Sequence, residues 1–234
     1  MSYPTTPEFE KHSENLRAIK KSFLQIERLH KRAIREADDP ATLALRIWHH
    51  VSVGIMAEAL LRQIVSDPLG FNERERQSIW NQNSQEGRWL HAVDLAFYRH
   101  YGIQFHQELS ISLTPAVQRR RATVQGLLNH ELKNIITARN KNAHGQWVWH
   151  LKSRKENEFT ADRPPAAPNY VQINASKRLI LAIGRLVHIL VISEPTFGRD
   201  FNEIEGEIDV FKRQLDGADY LQFESELRRT KRGR

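Results

Sequence analysis

Arg139, Asn140, Lys141, Asn142, Ala143 and His144, followed at once by Gly145, form the stretch of this chain best suited to chemistry. Arginine supplies a permanent, forked positive charge that matches phosphate oxygens. Histidine gains or loses a proton near neutral pH. Asparagine can orient an imidazole or hold a phosphate oxygen. Together they make a kit for cutting RNA without a metal. The ribose 2′-hydroxyl would attack phosphorus, His144 would move the proton, and Arg139 would stabilise the crowded, negative phosphorane-like state. The product would be a 2′,3′-cyclic phosphate.

Spacing constrains this chemistry. At about 100° per residue, Arg139 and His144 stand about 140° apart on a regular helix. Asn140 and His144 are one turn apart and share a face. Arg139 and His144 converge only if the last turn loosens toward Gly145, a residue able to take the left-handed conformation that ends a helix. Each side chain also has a plainer use. His144 suits the negative end of a helix dipole, Asn142 can be a local cap, and Lys141 can either hold a phosphate or stay solvated. Arg139 tips the balance toward catalysis because it continues an apolar stripe. Arg139, His144 and Asn140 are therefore the candidate catalytic residues, with Lys141 and Asn142 as candidate substrate contacts.

The element that must position them starts at Thr114-Pro115, a strong helix start. The helix is expected from Pro115 to about His144, about 45 Å at 1.5 Å per residue. Val117, Val124, Leu128, Leu132 and Ile135 form its stripe, so Arg139 should point to the core or a partner. A second long helix is expected from Asp39, as cap, to Ser66, apolar all round and hence central. Glu58 lies within that run and is read as reaching solvent; fully buried, it would need a partner. An amphipathic helix is expected over Glu8 to Ala37, with Phe9, Leu16, Ile19, Phe23, Ile26, Leu29, Ala33 and Ile34 inward. Shorter helices are expected at Asn72 to Trp80 and Arg88 to Tyr101, and two more at Ser176 to Ile192 and from Pro195 to Leu215. Ile103 to Leu113 reads as a loop or poor strand. Trp147, Trp149 and Leu151 alternate like a short strand, Lys152 to Asn169 reads as a hairpin or loop containing Pro164 and Pro165, and Tyr170 to Ile173 as the returning strand. Trp147 and Trp149 could stack on bases, but packing on the bundle is preferred.

The 234 residues include 11 Gly and 9 Pro, which favours an all-α bundle over a turn-rich β architecture. One domain is expected over residues 1–215, followed by a basic, flexible tail over 216–234. The net charge of +7 favours a polyanionic partner. Arg119, Arg120 and Arg121 could contribute to it, although such runs are more often solvated. With no cysteines, disulfides, thiolate metal sites and Cys nucleophiles are excluded. His49, His50, His91, His100, His106 and His130 lack metal-ligand spacing, and no Gly-rich phosphate loop is present. No metal or nucleotide cofactor is expected. Without an apolar leader or a window of about 20 apolar residues, the expectation is a cytoplasmic protein with no membrane partner.

Arg139, Asn140 and His144, placed near the end of a long helix in an all-α chain and followed by Gly145, resemble the signature of the HEPN superfamily: Arg, a polar residue, a short spacer, then His. The resemblance rests on about a dozen residues and the helices around them. It implies a HEPN-like helical bundle and a metal-independent endoribonuclease acting on RNA. One motif per chain implies a homodimer whose two motifs line one cleft. Such proteins often serve as toxins or antiphage effectors, with a cognate antitoxin. Some relatives are instead modified by a partner nucleotidyltransferase, with Tyr two places after the His; here that place holds Gln146. Others are inactive scaffolds, so a non-catalytic RNA-binding or regulatory subunit is the alternative.

Overall fold

A computed structural model describes residues 4–152, 155–161, 167–216 and 219–232. Its architecture is all-α. The first helix, α1 (Pro7–Glu36), starts with Thr6 accepting the Phe9 N–H and ends on Ala37 in the left-handed conformation. Only a narrow seam of it is buried: Leu16, Phe23, His30, Ala33 and Ile34. Leu29, expected inward, is exposed.

The chain turns directly into α2 (Asp39–Ser66). Its cap is Asp38, one residue earlier than expected, because the Asp38 carboxylate accepts the Ala41 N–H at 3.0 Å. This helix is the hub, packed on α1, α7 and α8. Residues His49–Gly54 are buried without a break, as all-round hydrophobicity requires. Trp48 and Ile55, seven residues apart and so on one face, are nonetheless exposed.

Next come α3 (Glu73–Trp80), capped by Asn72, α4 (Gln85–His100), and a single-turn α5 (Leu109–Ser112) where a loop or strand was expected. Gly102, at φ +62°, follows the end of α4. The Ile103 N–H returns to the Tyr98 carbonyl at 3.0 Å.

The long motif-bearing helix has an interruption that its periodicity conceals. After α6 (Pro115–Leu127), residues Leu128–Leu132 make a π-helical turn before α7 (Lys133–Ala143). The wider turn resets the register, so that Leu127 before it, Leu128 and Leu132 within it, and Ile135 and Ile136 after it are all buried.

A short antiparallel pair follows, β1 (Leu151–Lys152) with β2 (Lys155–Phe159). It lies later than expected, since the Trp147–Trp149 stretch makes bends instead of a strand. Pro164 and Pro165 fall outside the described residues. Tyr170 to Ile173 is helix, not a returning strand: α8 (Tyr170–Ile192) starts at a capping box in which Asn169 and Gln172 satisfy each other's backbone N–H groups. Then α9 (Glu194–Gln214) packs along α8.

The expected flexible tail is instead largely α10 (Tyr220–Arg232). Leu227 is buried with Ile34 and Tyr170, and Tyr220 and Phe223 pack against this cluster. The Phe223 ring stacks on Tyr170 with centroids 4.9 Å apart. The basic composition hides an apolar 220–223–227 stripe at helical spacing. No helix of the described residues is long and apolar enough to cross a membrane.

Candidate functional site

Arg139 lies against α2, as its place in the stripe requires. Its stem crosses Gly54, where an added Cβ would overlap the Arg139 Cβ and come within 2.7 Å of its Cγ. The two helices approach this closely only because position 54 has no side chain. One turn further along α2, Glu58 accepts a hydrogen bond from Arg139 Nη2. Glu58 also pairs with Arg62 at 3.2 Å. The carboxylate is 30 % exposed, so it reaches solvent, as expected, and also has partners. A pair this open to water is worth little in stability; its effect is to fix a direction. Arg139 Nη1 donates to Asn140 Oδ1 at 2.8 Å. The guanidinium is thus held from two sides, and its other N–H groups have no partner among the described residues. Glu58, 81 residues away in sequence, is the contributor that motif spacing does not reveal.

The helix does not loosen at its tip. The His144 N–H reaches the Asn140 carbonyl at 3.0 Å, an intact helical bond. Gly145 then takes φ +73°. Its N–H meets the Asn142 carbonyl at 3.1 Å, and the Gln146 N–H meets the Lys141 carbonyl at 3.0 Å. This is the glycine termination that satisfies the last carbonyls. Trp147 Nε1–H adds a bond to the Asn142 carbonyl at 2.7 Å. With the helix regular through Ala143, Arg139 and His144 keep a separation of about 140° around the axis. One chain alone therefore does not gather them on a common face.

His144 is exposed, and its imidazole has no hydrogen-bonding partner among the described residues. Asn140, expected to share its face, gives its side-chain oxygen to Arg139 instead. Lys141 is engaged with His150, Nζ to Nδ1 at 3.1 Å. Burial, and secondarily this ammonium, lower the His150 pKa, which keeps Nδ1 an acceptor. The side chain of Asn142 is half-buried, and it is the backbone carbonyl of this residue that serves the cap.

The basic run is mostly absorbed by the fold. Arg121 pairs with Asp94 at 2.8 Å, and the Arg120 guanidinium lies 5.6 Å from the centre of the Phe201 ring. Arg119 stays exposed. Beside the site, Trp147 meets Trp48 edge to face at 6.0 Å. Trp48, Ile55, Trp147 and Val148 all keep large exposed apolar surfaces.

Comparison with known proteins finds no matching family model, no matching curated protein and no matching solved structure.

Proposed function

We propose that this protein is a metal-independent endoribonuclease of the HEPN type, acting as a homodimer. The observation that carries the proposal is the contrast at the end of α7. A guanidinium held by Glu58 and Asn140 and an exposed imidazole without a partner among the described residues leave the same two turns. Arg139 would bind the scissile phosphate and offset the charge that grows on it. An imidazole would take the 2′-hydroxyl proton as the oxygen attacks phosphorus. The P–O5′ bond breaks, and an imidazolium returns a proton to the departing 5′-oxygen, leaving a 2′,3′-cyclic phosphate. Because one chain keeps Arg139 and His144 on different faces, a second copy would supply the opposing His144. The apolar surface of Trp48, Ile55 and Trp147 beside the motif is suited to that contact. The net charge of +7 draws RNA toward it. Service as a toxin or antiphage effector, with a cognate antitoxin or nucleotidyltransferase, would suit such an enzyme.

The test is cleavage of single-stranded RNA in excess EDTA by wild type and by His144→Ala. The expected result is cyclic-phosphate ends from wild type and almost none from the variant. Equal cleavage by both, or none by either, sinks the proposal. The alternative is a non-catalytic RNA-binding or regulatory bundle, and the tie between Arg139 and Glu58 favours it. It predicts salt-sensitive RNA binding that survives Arg139→Ala.

A further inference from the structure

A cavity of about 280 Å³ opens on another flank of α7, where α2, the π-helical turn and α8 come together. Its walls are aliphatic: Ile135 and Ala138 from α7, Pro168 before α8, and Leu215 after α9. Its polar groups come from four different places. His50 of α2 lines it while only 8 % exposed, and its imidazole has no hydrogen-bonding partner among the described residues. Burial pushes its pKa down to about 4, so near neutral pH the ring is uncharged and offers one N–H donor and one lone pair. Its ring nitrogens are not among the fully buried, partnerless polar atoms of the described residues, so they stay open to solvent and to a guest.

The other polar groups narrow what would match it. Ser176 gives its hydroxyl proton to the Gln172 carbonyl at 2.9 Å, leaving only acceptor capacity toward the cavity. Gln172 is spent at both ends, donating to the Leu215 carbonyl at 2.7 Å and accepting from the Asn169 N–H at 2.8 Å. Glu131 is delivered by the π-helical turn, a feature often found at functional sites, and its charge is balanced by Lys212 at 3.5 Å. Asn134 is exposed at the rim and adds amide donors and an acceptor. Donors and acceptors therefore both line an apolar slot, and its single lining carboxylate is paired with Lys212. Such a slot excludes ions and favours a flat, neutral molecule with hydrogen-bonding groups along its edge. The volume sits at the low end for small-molecule sites, roughly 300–1,000 Å³, so the guest is small.

We propose that this cavity binds a single unpaired nucleobase, its faces against Ile135, Pro168 and Leu215 and its edge read by His50, Asn134 and Glu131. The role of this pocket rests on the ribonuclease reading: it would select a base in the strand being cut, since unstacked bases are what sequence-specific RNA recognition uses. The base could also come from a free nucleoside, and the experiment separates these sources.

Binding is measured by saturation-transfer NMR on His144→Ala protein, which removes cleavage from the readout. The probes are the four free ribonucleosides, ribose alone, and short single-stranded RNAs with and without one abasic position. At least one nucleoside should bind while ribose does not, and Ala138→Leu, which fills the slot, should weaken binding at least tenfold. His50→Leu should do the same, because it removes the ring's hydrogen-bonding edge. Competition by intact RNA but not by abasic RNA identifies a strand base as the guest; no competition identifies the free nucleoside. Absence of nucleoside binding, or binding indifferent to both substitutions, overturns the proposal. Nucleoside binding by a protein that cuts no RNA would leave the pocket standing and remove the ribonuclease. RNA cleavage with a base preference unchanged by Ala138→Leu would do the reverse.

Discussion

The guanidinium of Arg139 and the imidazole of His144 leave α7 five residues apart and meet opposite conditions. Arg139 is wedged across Gly54, tied to Glu58 and Asn140, and 26 % exposed. His144 stands at a glycine-capped tip, and its ring has no hydrogen-bonding partner among the described residues. One group is fixed by the fold, and the other is only delivered by it. On the proposed ribonuclease reading, the chain would prepare the phosphate-binding half of the site in advance and leave the proton carrier to be positioned by whatever docks there. The contrast also separates the effects of substitution: changes at Arg139 should disturb both structure and chemistry, changes at His144 chemistry alone.

The sharpest break is His144→Ala. RNA cleavage should fall about 10²- to 10⁴-fold, the usual reach of general acid–base catalysis, with a melting temperature within experimental error of wild type. Arg139→Ala should cost about 10²- to 10³-fold in cleavage and also lower the melting temperature, because its stem packs on α2 as well. A wild-type melting curve for Arg139→Ala would erase the distinction between the two residues.

The buried imidazoles extend the comparison inward. His30 and His49 meet through their Nδ1 atoms at 3.0 Å. Burial lowers their pKa values to about 4 and about 3, with Arg46 adding to the effect at His30, and His30 and Lys177 adding to it at His49. With His50 also near 4, the fold holds all three neutral. Unfolded, each takes up a proton as pH drops below about 6.5. Their contribution to stability is therefore complete above that pH and is lost as pH falls toward 4. The slope should approach 1.4 kcal/mol per pH unit for each group. Denaturant melts at pH 7, 5.5 and 4.5 would show it, and a flat profile would mean these rings are more hydrated than the packing indicates.

Gly54→Ala probes the fixed half directly. Forcing a methyl between α2 and Arg139 should cost about 1–3 kcal/mol, read by chemical denaturation, and should reduce cleavage by shifting the guanidinium. Smallest is Gly145→Ala, where the left-handed φ of +73° penalises a Cβ by about 1 kcal/mol. If Gly145→Ala harms cleavage more than Gly54→Ala does, the cap, and not the clamp, governs the site.

Much of the scaffold was legible from the residues. Pro40, Pro115 and Pro195 each open a helix, and Gly102 and Gly145 each close one. These signals are local, written into the backbone chemistry of a few neighbours. Three features were not legible for the opposite reason. The π-helical turn leaves the three- and four-residue spacing of apolar side chains intact, so periodicity passes over it. The Trp147 and Trp149 alternation mimics a strand although Trp147 is spent on the helix cap and on Trp48. Glu58 reads as a stray carboxylate until the fold brings Arg139 to it. The Asn169–Gln172 box did carry a visible signal against a returning strand, one that the hydrophobic run at Tyr170, Val171 and Ile173 outweighed.

The closing helix α10 has a practical consequence for anyone handling this protein. Its rings shelter Tyr170, whose face in turn lies 5.3 Å from His30 and 5.8 Å from His49. Trimming the chain after Gln214 would strip that lid and wet the imidazoles behind it. An affinity label belongs beyond Arg232, added to the end and never substituted for it.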